Sequence, residues 1–264
     1  MGRYKKDMDN LNLRGDFNNF LNGLDEQNYY ILEEEIDIEI QNSYFKLSRK
    51  EAKSANKQDV MAKAPLLTSD EVAVEDKKII LSQLASLSDV EAFRVLEKNQ
   101  GQFQDEELNT WSVLAYNEAR MILNGSLKNE QQVFISTGLG GKKGKFRYFL
   151  VLLPSEEQKE FTAFDTDFIK KELDFTLKRH GGELEKVIEE EADYLSYKIL
   201  IPFKSNVPKL FKEVLENCNQ LSPFVSDQFI ITNVSEMNRE EILNFIDEVD
   251  WDDNEIVEDI VSLN

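Results

Sequence analysis

Between Glu130 and Glu156 the chain has no acidic residue, and it carries Lys142, Lys143, Lys145 and Arg147 around the run Thr137-Gly-Leu-Gly-Gly-Lys-Lys-Gly-Lys145. The whole chain has a formal net charge of -20, with 51 Asp and Glu against 31 Lys and Arg, so this segment is the obvious landing place for an anion. Ammonium groups and the backbone amides of a glycine nest suit phosphate or a carboxylate-rich partner. Lys142, Lys143, Lys145, Arg147, Gly140 and Gly141 are therefore the candidate anion-binding residues. A plainer reading uses the same residues: glycines supply positive-φ turn geometry, and lysines keep an exposed edge soluble. Phe146, Tyr148 and Phe149 alongside could stack bases, although one face of their strand must enter a core.

The segment matches no known phosphate loop. A P-loop needs a glycine five residues before its Gly-Lys pair and a helix after it. Here that position is Leu139, and Lys145 is followed by Phe146 and a strand. The dinucleotide fingerprint fails because Gly140 and Gly144 are separated by three residues instead of two. A kinase glycine loop fails on the same spacing, and no His-Arg-Asp or Asp-Phe-Gly follows.

His180, the only histidine, follows Lys178 and Arg179 and precedes two glycines, which is a helix C-terminus favoured by the dipole. Cys218 falls on an apolar stripe, as a core thiol does. One His and one Cys cannot build a structural zinc site, so no metal or cofactor is expected. Asp250, Asp252 and Asn254 imitate the start of a calcium loop, but Glu255 replaces the turn glycine and Val261 the bidentate Glu. Glu33 to Glu35 and Glu189 to Glu191 read as solvated faces, and no catalytic residue is assigned.

After Arg239 there is no basic residue, and acids alternate with Trp251, Ile256, Val257, Ile260 and Val261. One reading is a last helix and a frayed solubility tail. The other is an amphipathic peptide with Trp251, Ile256 and Ile260 as anchors in a partner's groove, steered by its acids to a basic rim. The tail could also dock on the basic hairpin.

A pI near 4.5 repels nucleic acid and anionic membrane overall, so such contacts must be local. A single cysteine fits a reducing, cytoplasmic compartment. The N-terminus has positive charges but no apolar segment after them, and no apolar run reaches the roughly 20 residues of a membrane span. A soluble cytoplasmic protein is expected.

The elements must now position these residues. Ile36, Ile38 and Ile40 fit either a strand or a helix, and residues 48–64 lack an apolar stripe and read as a linker closed by Pro65. Residues 68–127 are helical, the clearest face being Leu108, Trp111, Leu114, Ala115, Ala119, Ile122 and Leu123, ended by Asn124-Gly125. From Gln131 onward, strands at 133–137 and 146–153 read as a hairpin, followed by a helix to His180. Strands near 184–188 and 194–203 come next, then a helix with Val207, Leu210, Phe211, Val214, Leu215 and Cys218 on one face. A strand at 228–234 and a helix opened by Asn238 and Glu241 as a capping box complete the order.

That β-β-α-β-β-α-β-α order predicts an α+β fold: a helical N-terminal part, then an antiparallel or mixed sheet with helices on one face. The expected divisions are a polar segment with linker (1–67), a helical subdomain (68–127), an α+β domain (131–249) and an acidic apolar tail (250–264). The sequence assigns no reaction. The leading expectation is a cytoplasmic non-enzymatic adaptor whose partner is another protein. The alternative is a module for a phosphate ligand or RNA at the basic hairpin, with no DNA expected.

Overall fold

The computed structural model describes residues 29–128, 132–220, 222–248 and 257–259. The described residues divide into two compact units, one holding Tyr30–Gly140 and the other Tyr29 with those from Gly141 to Asp259.

The first unit is helical. Strand β1 (Tyr29–Ile31) leads into α1 (Ile38–Glu51), whose first N–H groups are capped by the Asp37 carboxylate. The stretch expected as a linker is the end of α1, then α2 (Lys57–Lys63) and a 3-10 turn (Ala64–Thr68). It lacks an apolar stripe because it needs none. Val60 anchors α2 in the core, while Ser48 is buried and donates to the Glu118 carboxylate.

Helices α3 (Val74–Ser86), α4 (Val90–Asn99) and α5 (Glu106–Lys128) complete this core with Leu81, Leu84, Leu96, Trp111 and Leu114. The cap of α4 is Asp89, and α5 runs through the Asn124-Gly125 stop because Gly125 is buried inside the helix. Residues 30–67 thus share one core with 68–127. Strand β2 (Val133–Ile135) pairs with β1 in a two-stranded sheet, and is not the first arm of the basic hairpin.

The second unit is the α+β part. Its elements are β3 (Gly141–Lys142), β4 (Lys145–Pro154), α6 (Ala163–Arg179), β5 (Glu183–Glu190), β6 (Leu195–Pro202), α7 (Val207–Cys218), β7 (Val225–Thr232), α8 (Arg239–Glu248) and β8 (Val257–Asp259). The sheet order is β5-β6-β4-β7-β8, with β3 attached to β4, and every pairing is antiparallel except β7 with β8. From β4 to β7 the chain makes a β-α-β-β-α-β split unit, a ferredoxin-like topology consistent with the expected α+β class.

Alternation along each strand separates two faces. Leu150, Leu152, Tyr197, Ile199, Ile201 and Ile231 face α6 and α7, where Ile169, Leu173, Phe211 and Val214 meet them. The helix ends follow local chemistry: Thr162 and Asp165 form a capping box for α6, and Asn206 caps α7 with Pro208 in its first turn. The box foreseen at Asn238 and Glu241 is present at 2.8 and 3.0 Å.

The face away from α6 and α7 is also covered. Phe149, Val151, Leu200 and Ile230 on it are buried. Lys198 on this side pairs with Glu236, and Arg239 of α8 pairs with Asp193 and lies over the Tyr194 ring. The chain leading into α8 therefore crosses the side on which four-stranded RNA-binding sheets expose aromatics.

Candidate anion-binding site

Strands β3 and β4 pair Lys142 with Lys145, so Lys143 and Gly144 are the whole of the turn. Both have positive φ, 51° and 77°, the signature of a type I′ hairpin turn. Glycine 144 is required for that geometry, and Lys143 is held in it by the strands on either side. Cross-strand pairing puts Lys142 and Lys145 on one face, and alternation adds Arg147 to it.

The loop after β6 comes to the same end of the sheet. The Phe203 N–H donates to the Gly144 carbonyl at 3.4 Å, the Tyr29 and Phe203 rings lie 4.2 Å apart, and the Lys204 ammonium sits 5.5 Å over the Phe203 ring. Lys143 and Lys204 are exposed, while Lys142, Lys145 and Phe203 are half-buried.

The other predicted members are engaged inside the fold. Arg147 is 9% exposed and makes a two-pronged pair with Glu185, Nε to Oε2 at 2.5 Å and Nη2 to Oε1 at 3.1 Å. That hydrogen bond, together with the nearby Lys142 and Lys198 charges, holds the Glu185 carboxyl below the ordinary carboxylate range. Lys142 reaches the same acid and Glu183 only loosely, at 3.8 and 3.9 Å. Gly140 and Gly141 are buried, and the Gly140 N–H donates to the Thr137 carbonyl at 3.2 Å. The four basic side chains predicted for the site thus divide into three lysines at the turn and one arginine paired with Glu185 in the sheet.

The base-stacking expectation for Phe146 and Phe149 is corrected, because both are buried, and Tyr148 packs against the core beneath the helices. The half-buried rings at this end of the sheet are those of Phe203 and Tyr29. Sequence reading missed them because nothing local says that the loop after β6 lies beside the β3–β4 turn. The only signal was an aromatic-lysine pair, Phe203-Lys204, directly after a strand.

His180 caps the C-terminus of α6 as expected, with Nε2 3.0 Å from Glu213 Oε2. Cys218 is buried in α7, and burial pushes its thiol up to about 12. The folded protein should therefore resist a thiol-specific disulfide reagent at neutral pH and react fully once urea is added. Fast native labelling would contradict this burial.

Among the described residues no group of His, Cys, Asp and Glu could hold a metal ion, and no helix is long and apolar enough to cross a membrane. A shallow cleft of about 380 Å³ runs beside α6, lined by Thr166, Asp167, Lys170 and Glu190. Lys170 and Glu190 pair across it at 3.3 Å.

Trp251, Ile256 and Ile260 lie outside the described residues. Between them, Val257–Asp259 forms β8 and pairs with Ile230–Thr232 of β7. In the sheet, β3 and β7 follow one another along the same edge of β4, and β8 lies beyond β7.

No protein-family model matches the chain, and no curated protein matches it. Among solved structures it is similar to a chain described as a candidate transposase from Deinococcus radiodurans R1, at 18% identity, over 40% of this chain and 92% of that one, with a TM-score of 0.34. At that level the likeness extends to neither family nor activity. The adaptor expectation is not carried forward: the similar chain is described as a candidate transposase, not as an interaction protein. The tail on which that expectation rested also places Val257–Asp259 in its own sheet, not in a free peptide.

Proposed function

We propose that the α+β unit binds a phosphate-bearing ligand at the end of its sheet, through Lys142, Lys143 and Lys145 of the β3–β4 turn and Lys204 of the loop after β6. The observation that carries this reading is the type I′ turn. It draws Lys142, Lys143 and Lys145 together at one sheet end, and the Phe203 N–H bond brings Lys204 to them, in a chain of net charge -20. Repulsion by the remainder of the surface confines an anion to this end. Arg147 supports the site indirectly, by neutralising Glu185 beneath Lys142.

The test is binding of a fluorescently labelled inorganic polyphosphate chain across a salt series. Affinity should fall as salt rises, and changing Lys142, Lys143 and Lys145 together to Ala should flatten the log-log slope by about 2, at roughly 0.7 per lost phosphate contact. These lysines are exposed or half-buried, so circular dichroism should be unchanged. Absence of polyphosphate binding at low salt, or binding indifferent to the triple change, would reject the reading.

A further inference from the structure

We infer that the phosphate-bearing ligand is a single-stranded nucleic acid, with a base seated on Phe203 and the backbone following the lysines of the turn. This rests on the phosphate reading above and names its ligand class.

The argument begins from shape. A small phosphorylated ligand is held in a concave site that buries most of its surface. A two-residue turn instead offers its cations along an edge, which suits an extended polyanion. The second observation is the aromatic pair. Phe203 and Tyr29 are half-buried, with their rings 4.2 Å apart, and Phe146 meets Phe203 edge-on at 6.2 Å from below. Such backing holds Phe203 in place, so little ordering remains to be done on binding.

The third is the Lys204 ammonium over the Phe203 ring, a cation on the negative face of a π-system. A flexible lysine can swing from that ring to a phosphate and give up its place to a base. Aromatic faces flanked by cations are the common ground of sequence-tolerant single-strand binding. A carboxylate-rich peptide would use the lysines but have no use for the ring. A duplex would bring its full charge density against a -20 surface, which only a short single strand avoids.

The experiment compares the full chain's affinity for labelled oligouridine, oligothymidine and polyphosphate of similar charge, with polyglutamate as a further probe. The expected result is roughly 10-fold tighter binding of both oligonucleotides than of polyphosphate, the contribution of one stacked base. Phe203→Leu should remove that advantage and leave polyphosphate binding unchanged, which also shows that the variant is folded. Equal affinity for oligonucleotide and polyphosphate, unaltered by Phe203→Leu, overturns the inference while the phosphate reading stands. Polyglutamate bound as tightly as the oligonucleotides overturns it too. If polyphosphate does not bind at all, the underlying reading fails with it.

Discussion

Gly140→Ala is expected to destabilise the chain by about 3–5 kcal/mol, read as a lowered midpoint in urea unfolding. A Cβ built on Gly140 would lie 2.4 Å from the Glu34 carbonyl oxygen and 2.6 Å from that of Glu33. Both obstacles are backbone, and neither can retreat easily. The segment is tied at both ends, Leu32 N–H to the Ile135 carbonyl and Ile36 N–H to the Gly138 carbonyl, each at 3.0 Å. Gln41 tightens the joint, its Nε2 donating to the carbonyls of Ile36 and Thr137 at 2.6 and 3.1 Å. The φ of 67° adds the usual left-handed penalty of about 1 kcal/mol for alanine. Gly101 separates the two effects, because its φ is 69° and nothing lies within 4 Å of its added Cβ. Gly101→Ala should cost only about 1 kcal/mol. Equal losses at the two positions would mean that the close approach relaxes at no cost.

The second large effect is expected at Glu118 of α5. Tyr44 is fully buried and donates its hydroxyl to Oε2 at 2.5 Å, and buried Ser48 donates to both carboxylate oxygens at 2.8 and 3.0 Å. Glu118→Ala strips the acceptor from two buried hydroxyls and should cost about 3 kcal/mol. Glu118→Gln keeps an acceptor and should be tolerated far better. The two also differ from wild type in pH dependence. Burial pushes the Glu118 carboxyl above its ordinary value of 4.5, with the two hydroxyl donors and Arg49 pulling the other way. A carboxyl with a raised folded pKa holds its proton more tightly in the native state. Its contribution to stability is therefore fully present below pH 4.5 and declines as pH rises through the raised value. The stability difference between Glu118→Gln and wild type should accordingly shift in favour of the variant over that rise. A difference that is flat with pH would show that Glu118 titrates normally.

The α+β class and the order of elements from β4 to α8 were legible because strands and helices bury one face each and so write a period of two or three-to-four into the chain. Leu195, Tyr197, Ile199 and Ile201, and the stripe from Val207 to Cys218, are of this kind. Capping at Asn206 and Asn238 was legible for a local reason, since the side chain serves N–H groups two or three residues away. Residues 48–64 misled because the burial there is polar or carried by one residue. Ser48 reads as loop and is core.

The candidate site shows the same division. The excess of lysine and the glycines of the turn stand in the sequence, and the type I′ hairpin needs only Lys143 and Gly144 to be recognised once its strands are aligned. Which glycine serves the turn and which serves a backbone crossing cannot be read from spacing. Gly140 is pinned by carbonyls more than a hundred residues earlier, and Gly144 by the hairpin itself. Arg147 looks like Lys145 in the sequence and differs only because β6 brings β5, with Glu185, to its side of the sheet.

What the sequence by itself determined, then, is local: the periods of burial, the caps, the excess of acidic charge and the one stretch without acids. What only the tertiary structure decided is which distant residues meet. The pairing order β5-β6-β4-β7 places Glu185 on Arg147, Phe203 beside Gly144 and the residues before α8 over the second sheet face. The physical reason is range. Caps, turns and periodicity act over a few residues, whereas strand order is chosen by the burial of whole faces, a property of the assembled sheet that no single stretch of chain encodes.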